Sequence, residues 1–130
     1  MKINEFIQRN LKVTYPAEAV NISSSMKNEL TRSRLPKIVC SDGFEMSVQV
    51  GFSLYSTPKK VAKRYSAVEI GFPSAPESLI AEYAEDWEIE NVDDPRLCET
   101  VYGYVPVKVV DKVLKQHGGI DFLETLKEAE

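Results

Sequence analysis

Residues 35–50 read Leu-Pro-Lys-Ile-Val-Cys-Ser-Asp-Gly-Phe-Glu-Met-Ser-Val-Gln-Val, and this stretch decides the fold. From position 44 to position 50 apolar and polar residues alternate without a break, as they do in a strand with one buried face. The preceding Asp42-Gly43 pair tolerates the positive φ angles of a tight turn. The sequence therefore predicts a β-hairpin whose first arm is residues 37–40 and whose second arm is residues 44–50.

Two later segments alternate in the same way. Residues 65–72 place Val68, Ile70 and Phe72 on one face, and Pro73 stops the segment because proline cannot donate to a ladder. In residues 100–105, Val101, Gly103 and Val105 oppose Tyr102 and Tyr104. We therefore expect an antiparallel sheet of three to four strands, with residues 52–63 as an exposed connection.

Helical spacing marks both ends of the chain. Apolar residues recur every three or four positions in residues 1–11 and 106–117, and Gly118-Gly119 ends the second segment. Shorter helical segments are predicted at residues 76–83 and from residue 120 or 121 onward, with at most one turn between residues 16 and 36. The predicted fold class is α+β, a single domain over residues 1–130. We expect the N-terminal helix and the C-terminal helices to pack on one face of the sheet, which bears Met46, Val48, Val68 and Ile70.

Size and composition limit the classes of protein to consider. A chain of 130 residues with 43% hydrophobic content can close one modest core. Its apolar runs are far shorter than the roughly 20 residues of a membrane-spanning helix. Charged residues interrupt the first eleven positions, unlike a secretory signal. We therefore expect a cytoplasmic protein in which Cys40 and Cys98 are reduced thiols.

Candidate catalytic residues are few. His117 is the only histidine and could act as a general base, but its place in a last helical turn favours an interaction with the helix C-terminus. Cys40 lies in a strand pattern and Cys98 lies beside acidic residues, so neither placement favours a reactive thiolate. We therefore assign no catalytic residue, no cofactor and no metal ligand, and a small enzyme of unknown class stays an open alternative.

The net charge is only −4, yet acidic residues concentrate between positions 77 and 99, where Arg96 is the single cation. Aromatic residues within a charged rim are typical of protein interfaces. This pattern predicts that Tyr83, Glu85, Asp86, Trp87 and Glu88 form a surface that docks on a basic protein partner. The alternative is a solvated loop whose tryptophan folds back onto the core.

A basic cluster interrupts the middle of the chain. It comprises Lys59, Lys60, Lys63 and Arg64, with Tyr55 and Tyr65 nearby. Cations with aromatic neighbours suit nucleic acid, so a nucleic-acid-associated protein is one alternative function. A solvated loop between strands is the other interpretation, which the acidic balance of the whole chain favours. An edge strand could also pair with its copy in a homodimer.

Several segments together carry a resemblance to a family. They are Arg34 to Ile38, Asp42 to Gln49, Val68 to Ser74, Val101 to Pro106 and His117 to Gly119. In this succession, which spans most of residues 2–120, the chain resembles small uncharacterised proteins encoded by tailed phages and prophages of enteric bacteria. The resemblance implies a phage or prophage setting in a bacterial cytoplasm and brings no activity or site residues with it. Because small accessory proteins in that setting often bind host machinery, it favours a non-enzymatic protein-binding module.

Overall fold

Three α-helices and six strands build the fold of residues 1–14 and 31–127, the part of the chain that this computed structural model describes. The helices are α1 (Ile3–Asn10), α2 (Val107–Gln116) and α3 (Phe122–Lys127). The strands are β1 (Lys12–Thr14), β2 (Arg32–Arg34), β3 (Ile38–Val39), β4 (Glu45–Gln49), β5 (Ala67–Gly71) and β6 (Val101–Pro106). Short 3-10 helices occupy Ala81–Tyr83 and Pro95–Cys98.

The main sheet is antiparallel and runs in the order β3-β4-β5-β6, which confirms the predicted α+β fold. Val48 pairs with Ile70 across β4 and β5, and Val68 pairs with Val105 across β5 and β6. The predicted inner face, including Met46, is fully buried in one core with the apolar faces of α1 and α2. Burial of this continuous apolar face is the main source of stability.

The two longer helices are tied to each other and to the sheet. The backbone N–H of Ile3 donates to Asp111 Oδ1 at 2.8 Å, joining the start of α1 to α2. Helix α2 follows β6 directly, and Gly118 and Gly119 end it with φ angles of +84° and +87°. Glycine adopts these left-handed conformations without a steric penalty, as the sequence predicted.

Helix α3 lies against the outer edge of the sheet at β3. The Val39 N–H donates to Thr125 Oγ1 at 2.9 Å, and that hydroxyl donates back to the Val39 carbonyl at 3.2 Å. Thr125 is buried, whereas the apolar side chains of Phe122, Leu123 and Leu126 are exposed. The helix therefore closes an open strand edge through hydrogen bonds rather than through an apolar face.

Two aromatic residues depart from the predicted alternation. Phe72 was expected on the buried face with Ile70, but it is 54% exposed and has a φ of +49°. Tyr104 was expected on the same side as Tyr102, but Tyr102 is fully buried and Tyr104 is 45% exposed. A bulge causes the second difference, since two residues of β6 lie opposite one residue of β5.

The remaining differences concern local elements. The ribbon of β1 and β2 was not predicted, and the predicted helical segment at residues 76–83 contains only the single 3-10 turn at its end. The segment between residues 16 and 36, where at most one helical turn was predicted, lies outside the described residues up to residue 30. The predicted connection at residues 52–63 contains no named strand. No helix within residues 1–14 and 31–127 has the length and apolar character needed to span a membrane.

Candidate functional site

The acidic segment is anchored to the free edge of β6. Ala84 forms a β-bridge with Tyr102, and the Glu85 N–H donates to the Val101 carbonyl at 2.9 Å. Tyr83 and Ile89, on either side of this anchor, are half-buried and pack against the core. The backbone on both sides of Trp87 is therefore held by the body of the protein.

Trp87 lies at the tip of a turn, and its side chain is 91% exposed. The Asp86 carboxylate accepts the Glu88 N–H at 3.0 Å, an Asx-type contact that shapes the turn. The interpretation in which this tryptophan folds back onto the core is wrong, because Tyr83 and Ile89 cover the core instead. We call residues 83–89 the Trp87 turn.

The charge around the Trp87 turn is largely uncompensated. Glu85 and Glu88 are exposed, and Asp86 is half-buried. Arg96 is bound to Asp94, with Nη2 to Oδ2 at 2.7 Å, and its pKa is raised by that contact and by the charges of Asp86 and Glu88. Among the ion pairs within residues 1–14 and 31–127, none includes an acid of the Trp87 turn.

The residues of the basic cluster have different neighbours in the structure. Lys59, Lys60, Lys63 and Arg64 are all exposed. Arg64 borders an open groove beside Lys2 of the N-terminal segment and Lys108 of α2. Tyr65 is buried. Its hydroxyl accepts the Ala62 N–H and donates to the Lys60 carbonyl, both at 2.8 Å. Tyr65 therefore shapes the loop and presents no surface to a ligand.

Lys59 lies beside two tyrosines, Tyr55 and Tyr104. Its Nζ lies 5.3 Å from the ring centroid of Tyr55 and 6.0 Å from that of Tyr104. The two rings are 5.8 Å apart and tilted by 41°. Tyr104 was not a predicted site residue. It reaches this position only because of the bulge in β6. Gly103 is the local sign of that bulge, since a glycine inside a strand pattern often marks one.

His117 lies in a third cluster, between two carboxylates. Its Nδ1 is 2.5 Å from Asp42 Oδ2 and its Nε2 is 2.7 Å from Glu77 Oε1, and the ring stacks on Phe44 at 4.1 Å. Glu77 is only 4% exposed and also accepts the N–H of Leu79. The cluster joins the hairpin turn, the segment after β5 and the end of α2. We call the side chains of His117, Asp42 and Glu77 the His117 clamp.

The electrostatics of the His117 clamp favour a charged histidine. Burial alone would lower the pKa of His117, but the hydrogen bonds to Asp42 and Glu77 outweigh it and raise that pKa above its usual 6.5. The pKa of Asp42 is lowered, first by the backbone N–H of Phe44 and then by His117. Because both ring nitrogens are occupied, His117 is arranged as a structural link rather than as a general base.

The Cys40 thiol is not activated either. Burial, followed by the charge of Asp42, raises the pKa of Cys40 to about 11, so the thiolate is disfavoured at neutral pH. Cys98 is half-buried, and both cysteines are free thiols. Within the described residues, no group of three or more histidine, cysteine or acidic side chains is arranged to hold a metal ion.

Comparison with known proteins adds no relative. No protein-family model matches the chain, and neither a curated protein nor a solved structure is significantly similar to it.

Proposed function

We propose that this chain is a non-enzymatic protein-binding module that docks on a basic protein surface through the Trp87 turn. The observation that carries the proposal is the 91% exposure of Trp87 at the tip of a turn whose backbone is anchored to the sheet. A large aromatic side chain exposed in this way leaves apolar area in water that a partner can cover. Buried tryptophans are also among the strongest energetic anchors of protein interfaces.

Charge defines the kind of partner. Glu85 and Glu88 flank the tryptophan, while the nearby cation of Arg96 is already bound to Asp94. A basic partner surface would neutralise this excess charge and speed association. The resemblance to phage and prophage proteins supports a partner in host or phage machinery in the bacterial cytoplasm. Nuclease-treated lysate from an infected bacterium is the material in which to identify that partner by affinity purification and mass spectrometry.

Replacement of Trp87 by alanine tests the anchor. We expect partner affinity to fall by about 30-fold, which corresponds to the roughly 2 kcal/mol of an interface hot spot. Leu123→Ala is the matched control, since Leu123 is 85% exposed on α3, and it should leave affinity unchanged. Titration calorimetry with the purified partner measures both. Equal affinities of the wild type and the Trp87 variant would refute the proposal.

The charge of the Trp87 turn needs its own test. The double variant Glu85→Gln/Glu88→Gln removes two exposed charges and keeps Asp86, whose carboxylate holds the turn. We expect several-fold weaker binding at low salt and a smaller dependence of affinity on salt concentration. The control Glu5→Gln/Glu124→Gln changes the net charge equally on α1 and α3. Equal losses in both double variants would mean that total charge, and not this surface, determines binding.

A further inference from the structure

We propose that Tyr55, Tyr104 and Lys59 form a site that binds single-stranded nucleic acid by stacking bases on the two exposed tyrosine rings. We call these three residues the tyrosine platform. The proposal does not depend on the Trp87 turn, since it uses different side chains and a different class of ligand. Of the cations in the basic cluster, it uses Lys59, which the structure places beside two aromatic rings.

The backbone holds the two tyrosines together. The Tyr104 N–H donates to the Tyr55 carbonyl at 3.0 Å, across the bulge in β6. Tyr55 lies directly over Gly103, where an added Cβ would come within 3.4 Å of the Tyr55 Cβ. Both rings are therefore preorganised on the sheet rather than carried by a free loop.

Tyr104 is displayed at a conformational cost. Its φ of +52° lies in the left-handed region, which costs a residue with a Cβ about 1–2 kcal/mol relative to glycine. Its ring nevertheless remains 45% exposed, so burial of the side chain offsets little of this cost. Strained conformations of this kind concentrate at binding sites, where a side chain must be held in a particular direction.

The cations suit a phosphate backbone. The Lys59 Nζ lies 3.5 Å from the Tyr104 hydroxyl and over both rings, and the next residue, Lys60, is also exposed. Aromatic faces that stack on bases, combined with cations that follow the backbone, are the usual composition of single-strand sites. A duplex keeps its base faces covered, so the tyrosine platform fits an unpaired strand.

The carboxylates of Glu69 and Glu85 oppose the positive charge of Lys59. Glu69 is half-buried and lies opposite the bulge in β6. Its pKa is raised, first by burial and also by the charge of Glu85, while the backbone of Tyr55 and the charge of Lys59 act in the other direction. Neutralising Glu69 should therefore strengthen binding of an anionic strand, whereas it would weaken binding of a cationic ligand at the same place. An increase in affinity after Glu69 is neutralised therefore indicates an anionic ligand, and a decrease indicates a cationic one.

The central experiment compares two glycine substitutions by fluorescence anisotropy with a labelled oligo-dT of about 12 nucleotides. Tyr104→Gly removes a ring of the platform, and we expect affinity to fall by about 5- to 150-fold, from the roughly 1–3 kcal/mol of one stacked base. Phe72→Gly is the matched control because Phe72 is also exposed and left-handed, and it should not change affinity. Glycine relieves strain at both sites, so both variants should fold, which circular dichroism checks.

Further arms identify the contacts. Glu69→Gln should tighten binding, and Lys59→Gln should weaken it and reduce the salt slope by about 0.7. An oligo-U that binds more tightly than oligo-dT would assign RNA as the ligand, and the reverse order would assign DNA. The proposal is overturned by absent binding at low salt, by equal losses in the two glycine variants, by weaker binding after Glu69→Gln, or by equal affinity for a strand that lacks bases.

Discussion

At the scale of single residues, the His117 clamp is the most specific arrangement in the molecule. In its charged form the imidazole donates to two carboxylates, and the Asp42 and Glu77 oxygens lie 2.5 and 2.7 Å from its nitrogens. A buried carboxylate such as Glu77 is costly unless it is paired, so the histidine stabilises Glu77 as much as the reverse. The stability of the folded state therefore depends on whether His117 is charged.

The sign of that coupling predicts the pH dependence of stability. His117 has a raised pKa in the folded state, so its stabilising contribution is complete below its usual 6.5 and is lost as the pH rises through the folded pKa. Asp42 has a lowered pKa, so its contribution is present above 3.8 and is lost as the pH falls through the folded value. We expect both contributions together between about pH 4 and about pH 6.5.

His117→Gln tests this coupling. We expect the free energy of unfolding at about pH 5 to fall by about 2 kcal/mol, because the hydrogen bonds to charged groups are lost. The difference between the variant and the wild type should shrink as the pH rises to about 9. Urea titrations across this range measure it. A difference that does not vary with pH would show that charge on His117 does not stabilise the fold.

At the scale of elements, α3 illustrates how a strand edge is protected. The β3 strand has only two residues, and the Thr125 hydroxyl supplies both a donor and an acceptor to Val39. The Asp121 N–H adds a further bond to the same carbonyl at 2.8 Å. The outer side of β3 is thereby closed to a second chain at this point, which limits the edge pairing that we considered for a homodimer.

Thr125→Val removes the hydroxyl and keeps the shape of the side chain. We expect a loss of about 1–3 kcal/mol in stability, since the buried Val39 N–H loses its acceptor. Hydrogen exchange at the Val39 amide should also accelerate. Thr125→Ser retains the hydroxyl and should keep the Val39 amide protected. Equal exchange rates in the two variants would show that the hydroxyl does not hold α3.

At the scale of the whole molecule, stability and binding use different residues. The core consists of fully buried apolar side chains such as Val48 and Ile70, whereas Trp87 and Leu123 are exposed. Substitutions in the first group should reduce stability, and substitutions in the second should leave it nearly unchanged. The two proposed surfaces can therefore be altered without unfolding the protein.

A pair of leucine-sized truncations tests that separation. Ile70→Ala should cost about 2–5 kcal/mol, because it removes packed methyl groups at the centre of the sheet. Leu123→Ala should change stability by less than about 0.5 kcal/mol, because that side chain is 85% exposed. Chemical unfolding followed by far-ultraviolet circular dichroism compares the two. A large loss in the Leu123 variant would place its side chain in contact with a structured surface.

Periodic patterns determined most of the architecture. The alternation of residues 44–50 and the helical spacing of residues 106–117 are local properties of the chain, so β4, α2 and the buried face could be predicted from the sequence. The exposed acidic segment and the exposed lysines were also visible as composition. Prediction was wrong where a single residue leaves the period, as at Phe72 and Tyr104.

Only the tertiary structure decided how distant residues meet. His117 is 75 positions from Asp42 and 40 from Glu77, and Tyr55 meets Tyr104 through a bulge that shifts the register of β6. Strand register and the path of the connecting segments set these contacts, and local periodicity does not encode either of them. The sequence by itself therefore determined the elements and their buried faces, whereas folding determined the His117 clamp, the tyrosine platform and the exposure of Trp87.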